Sequence, residues 1–124
     1  MLYLAVGLAG GLGAILRYGL GRVMFQAGYI GFPYATMMVN VIGSFLIGYV
    51  MIALADKAGS ATSLRTVVMS GFLGGFTTFS AFSLETVTMI ERGDVSRALS
   101  YILITLVCCL SACAVGLAIG KSSV

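Results

Sequence analysis

Charge is what this sequence has least of. Of 124 residues, 9% are Asp, Glu, Lys or Arg, against about 25% in an ordinary globular domain. Seven basic and four acidic side chains cannot cover a soluble domain of this length, and a surface facing lipid removes the need. Histidine and tryptophan are absent. The lack of histidine removes the commonest metal ligand and the commonest general base. No Ser/His/Asp, Cys/His, paired-carboxylate or phosphate-loop arrangement is present, so the sequence offers no catalytic constellation. The basic residues are dispersed, which argues against nucleic acid as a partner. The three cysteines, Cys108, Cys109 and Cys113, are odd in number and crowded into one apolar run. They read as small packing residues and not as a disulfide framework. The N-terminus lacks the basic region of a signal peptide, so the first apolar segment is expected to stay in the protein.

What the chain has is long apolar runs, with 60% hydrophobic residues. Crossing ~30 Å of hydrocarbon takes about 20 helical residues. Four stretches qualify: about 2–25, 33–55, 64–90 and 98–119. Pro33 suits the first position of the second helix. The connections, 28–32, 56–63 and 91–97, are short, which makes sequential helices antiparallel neighbours. The expectation is an all-α membrane protein forming one four-helix transmembrane domain over residues 1–124.

The charges also bear on orientation. Basic residues near helix ends favour the cytoplasmic side. Lys57, Arg65 and Lys121 fall on one side of a four-span chain, and Arg17, Arg22, Arg92 and Arg97 on the other. Three against four is almost no bias. A sequence inserted both ways, pairing as an antiparallel homodimer of dual topology, is one expectation. A single fixed orientation is the other.

The third span carries the most informative string, from Gly71 to Ser83: GFLGGFTTFSAFS. Gly74 and Gly75, then Thr77 and Thr78, fall near its middle. Gly weakens a helix by about 1 kcal/mol relative to Ala, and adjacent Thr residues compete for backbone carbonyls. Together they predict a break at mid-membrane. Irregular backbone at that depth survives only inside protein or beside a water-filled cavity, and freed carbonyls there suit a cation. The competing reading is a kinked, continuous helix packed by glycine. Phe79 and Phe82, three apart, share a helix face. A phenyl ring is positive at its edge, so two edges aimed at one point suit a small anion; packing or lipid contact is the plainer role.

Asn40 lies in the second span, roughly 12 Å from its start, as helix glue or as a pore-lining amide. Tyr101, Thr105 and Cys109 repeat every four residues along the fourth span, as interhelical hydrogen bonders or as a polar track. Arg17 is placed to snorkel to headgroups or to concentrate anions at a pore mouth. Glu85 is an acid inside the third span, a functional candidate by default, though close enough to Glu91 to reach the interface.

Three strings together resemble the Fluc (CrcB) family of fluoride channels: GGLGAILRY from Gly10, NVIGSFLIG from Asn40, and GGFTTFSAF from Gly74. The resemblance covers nearly the whole chain. It implies a dual-topology homodimer in a bacterial inner membrane, with two fluoride pores. It implies a central Na+ held by the backbone carbonyls of Gly74 and Thr77. It also implies a fluoride pathway formed by Asn40, Phe79, Phe82, Ser80, Tyr101, Thr105 and Arg17. The chain departs from the pattern at Ala81, where Thr is frequent, and at Cys109, where a hydroxyl is common. The runner-up is a dual-topology exporter of the small multidrug resistance type. Such exporters use a carboxylate in the first span, and no acid precedes Ala55.

Overall fold

The computed structural model describes residues 1–55 and 60–123. Lys57, one of the charges weighed above, lies outside the described residues. Four helical spans result, each long and apolar enough to cross a bilayer. The first is α1 (Leu2–Gln26) and the second α2 (Tyr34–Ala53). The third is composite: α3 (Ser60–Thr66), a π-helical stretch (Val67–Leu73), a single turn α4 (Gly74–Phe76), and α5 (Phe79–Glu91). The fourth is α6 (Val95–Ser122). Boundaries differ from expectation by a few residues, most at α6, which runs three residues further at each end. Pro33 is the residue before α2 and not its first residue. The last helix begins at Val95, since Asp94 and the turn at Gly93, at φ 83°, end the preceding helix and start the next.

The third span breaks where the Gly and Thr pairs predict. Thr77 and Thr78 are extended, at φ/ψ of −84°/159° and −153°/114°. Val67–Leu73, separated from the break by the single turn α4, is wound as a π-helix, a form that recurs at functional sites. The span is therefore two half-helices meeting at an opened joint, not a kinked continuous rod.

Glycine sets how the helices close around that joint. A Cβ at Gly13 would collide with the Phe72 carbonyl oxygen, and one at Gly75 with the Gly10 carbonyl oxygen. The glycines of α1 thus let it lie backbone to backbone on the first half of the broken span. The second close approach joins α2 to α6: a Cβ at Gly48 would strike the Cys113 carbonyl, and one at Gly116 the Phe45 carbonyl. The broken span is held between these two arrangements. Most large apolar side chains on α1 and α6 face outward, as lipid-facing helices require.

Candidate functional site

The joint at Thr77–Thr78 is built by a change of hydrogen-bond partners. In a continuous α-helix the Thr78 N–H would meet the Gly74 carbonyl, and the Ala81 N–H the Thr77 carbonyl. Here the Thr78 N–H donates to Asn40 Oδ1 at 2.8 Å. The Ala81 N–H donates to Thr78 Oγ1 at 3.1 Å, which caps α5. Both carbonyls lose the donors a helix would give them. The Gly75 carbonyl, also released, accepts from Arg17 Nε at 3.1 Å.

Asn40 holds the joint from both sides. Its Nδ2 donates to the Thr78 carbonyl at 3.0 Å while its Oδ1 accepts the Thr78 N–H. One side-chain amide pairs with one residue's backbone as a neighbouring strand would. An extended residue at this depth has no water to satisfy it, and Asn40 supplies both partners. Glue and cavity wall prove to be one role, since Asn40 also lines the cavity beside the joint.

That cavity, of about 310 Å³, takes in Asn40, Ser44, Gly74, Thr77, Phe79, Phe82, Thr105 and Cys109 among its walls. Residues scattered over three spans in sequence therefore meet in one place. Phe79 and Phe82 are neighbours, with ring centroids 5.6 Å apart at 41°. They differ in surroundings: Phe82 is 9% exposed and Phe79 76% exposed on the single chain. Behind Phe82 comes Tyr101, fully buried, its ring centroid 5.0 Å away.

Thr105 is the unusual member. It is 5% exposed, and among the described residues its Oγ1 is a buried polar atom without a hydrogen-bond partner. The hydroxyls of Thr77, Ser83, Thr86 and Thr88 bond carbonyls four residues back in their own span. Thr105 does not, and it faces the cavity.

Glu85 is hydrogen-bonded through both carboxylate oxygens. Its Oε1 accepts from Thr36 Oγ1 at 2.6 Å and its Oε2 from Tyr101 OH at 2.8 Å. On its other side it lines a shallow pocket with Phe32, Pro33 and Arg92. Removing the phenol should therefore be felt. Tyr101→Phe leaves Oε2 without its donor, and a bond to a charged group contributes about 1.5–3 kcal/mol. The expected result is a lower thermal midpoint in detergent, with Thr36→Val additive only in part because both donors serve one carboxylate.

Arg17 and Ser80 stand apart from this cavity. Arg17 lines a second, wider one of about 530 Å³ with Tyr18, Arg22, Phe25 and Thr36. Thr78 walls both cavities, so the joint separates an arginine-rich space from an aromatic one. Ser80 is exposed, its Oγ 3.1 Å from Thr78 Oγ1.

Two residues that the sequence reading passed over belong here: Thr36 and Ser44. Both had a signal. Thr36, Asn40 and Ser44 repeat every four residues along α2, as Tyr101, Thr105 and Cys109 do along α6. The two stripes align. Thr36 and Tyr101 meet at Glu85, Ser44 and Cys109 share a wall of the cavity, and Gly48 meets Cys113 one turn further on.

Groups of three or more His, Cys, Asp or Glu able to hold a metal are absent among the described residues.

Comparison with known proteins bears on the whole chain. The family described as CrcB-like protein, Camphor Resistance (CrcB), matches residues 4–117. A protein of Rhizobium meliloti named Fluoride-specific ion channel FluC is 40% identical over 121 residues, 98% of this chain and 97% of its own. Proteins of the same name from Saccharophagus degradans and Granulibacter bethesdensis are 40% and 46% identical. They cover 100% and 82% of this chain, and 92% and 80% of their own lengths.

Proposed function

Given that the chain belongs to the CrcB family, we propose that it is a fluoride-selective channel through which the anion leaves the cytoplasm down its gradient. The family is one of channels, not enzymes, and four helices of spanning length make this a multi-pass membrane protein. The observation that carries the reading is the buried, unclaimed hydroxyl of Thr105 on a mid-membrane cavity walled by Phe79 and Phe82.

Taking a small anion out of water into an apolar medium costs tens of kcal/mol. A conducting site must offset most of that cost without trapping the ion. Here the groups offered are one hydroxyl and ring edges with partial positive charge. None carries a full charge, so none holds a halide tightly. Tyr101 extends the aromatic wall behind Phe82, and Arg17 and Arg22 raise anion concentration on the far side of the joint. Fluoride accumulates inside cells by weak-acid trapping, so a passive path in the inner membrane relieves its toxicity.

The same reading includes an antiparallel homodimer with two pores. Gly74 and Phe79 are exposed on the single chain, and a second copy inserted the other way would cover that face. The joint's donor chemistry fits Na+: Gly74 and Thr77 have lost their helical donors, and their carbonyls would hold the ion with those of the second copy. Sodium bound there supplies fixed positive charge without any titratable group. The chain's own part is to keep the two oxygens free, through Asn40 and the Thr78 cap.

The test is efflux from liposomes carrying the purified protein, fluoride against chloride. Fast fluoride loss with little chloride loss is expected. No fluoride flux, or chloride flux of similar size, ends the reading. Thr105→Val sharpens it. The hydroxyl has no partner within the chain, so the thermal midpoint should hold. Fluoride flux should fall about tenfold, the equivalent of one hydrogen bond of about 1.4 kcal/mol.

A further inference from the structure

We propose that Cys109 is a modification site for small thiol-directed electrophiles, organomercurials in particular, and that an adduct there closes the cavity beside the joint. The closure rests on the reading of that cavity as the anion path.

The three cysteines of α6 have different surroundings. Cys108 is exposed on the outer face of the helix. Cys113 is where the backbones of α2 and α6 pack together at Gly48. Cys109 alone of the three is among the walls of the 310 Å³ cavity. It is half-buried, carries a free thiol and shares the cavity wall with Ser44. A thiol in a helix is ordinarily inert packing. A second feature sets this one apart. One turn earlier, the Thr105 hydroxyl points into the same space, 95% buried and without a partner. A dry cavity shaped by packing would bury no unpaired hydroxyl. The space is thus one that a polar guest visits, and Cys109 is on that guest's route. Met69 adds a second sulfur to the same wall.

The chemistry balances without a redox partner. The Cys109 S–H bond gives its proton to water, and the sulfur displaces chloride from a mercury chloride. The Hg–Cl electron pair leaves with chloride and an S–Hg bond forms. Thiolate is the reacting form, and soft sulfur selects a soft metal. The cavity volume equals that of roughly ten water molecules, enough to admit methylmercury. Once attached, the metal takes up part of the cavity that Thr105 and Phe82 also wall.

The experiment treats proteoliposomes with methylmercury chloride, compares each protein with its own untreated fluoride flux, and maps adducts by mass. Flux of the parent should fall about tenfold or more and return with excess dithiothreitol. Cys109→Ser should lose that response, and the Cys108→Ala/Cys113→Ala double variant should keep it. Three results overturn the proposal: no adduct on Cys109, an adduct with flux unchanged, or block that persists in Cys109→Ser. Absence of fluoride flux before treatment is a different failure. It ends the reading of the path and the closure with it, while the mass map still decides whether Cys109 is the reactive thiol.

Discussion

Asn40→Leu is expected to dismantle the joint. The substitution keeps the forked shape of the side chain, and removes both partners of one extended residue. The Thr78 N–H and carbonyl, at 2.8 and 3.0 Å from the amide, would then face hydrocarbon. Each buried group left unpaired costs about 1–3 kcal/mol, so a loss of roughly 2–6 kcal/mol is expected. The backbone's alternative is to close into a continuous helix, which returns the donors to Gly74 and Thr77 and removes both free oxygens. Either outcome abolishes flux. Size-exclusion profile, thermal midpoint and fluoride efflux together check this. Asn40→Asp should fall between, since its carboxylate still accepts the Thr78 N–H but sets an oxygen against the Thr78 carbonyl. If Asn40→Leu melts and conducts like the parent, the joint is held by something other than this amide.

Phe82→Ile should separate conduction from stability. Phe82 is 9% exposed and touches two rings, Phe79 and Tyr101. Aromatic pairs contribute about 0.5–1.5 kcal/mol each beyond burial, so the fold should survive a branched aliphatic of similar bulk. What disappears is a ring edge with partial positive charge at a place where water is scarce. An ion already stripped of much of its shell has no substitute there. A penalty of about 3 kcal/mol is enough for a roughly 100-fold fall, and flux should drop to the leak of empty liposomes. A variant that keeps its melting point and loses its flux places the ring on the route. Loss of both in proportion returns Phe82 to packing.

Much of the fold was readable because single-segment properties decide it. Span number follows from apolar run length. The joint follows from Gly74, Gly75, Thr77 and Thr78 standing together, since propensity acts over a few residues. The site was readable only where one helix supplies its geometry. Phe79 and Phe82 had to share a face, but that one is buried and the other exposed depends on neighbouring helices. Glu85 looked like an acid within reach of headgroups. Its actual partners, Thr36 and Tyr101, come from two other spans, and their meeting depends on how α2 is rotated against α6. Arg17 was weighed as a snorkelling or steering charge. Its bond to the Gly75 carbonyl follows from glycines that draw α1 onto the broken span. Asn40 posed a choice between glue and lining; its contact with Thr78 and its place on the cavity wall both depend on the neighbouring span.

The matched stripes of α2 and α6 carry a consequence for how such a protein tolerates change. Contacts near Glu85, beside Ser44 and at Gly48 all depend on two rods keeping step over three turns. Exchange of one side chain disturbs a single contact. Gain or loss of one residue within either rod turns everything beyond it by about 100°, and every later contact fails at once. Spacing is therefore the more rigid inheritance here, and side-chain identity the freer one, as a thiol sharing the cavity wall with Ser44 already illustrates.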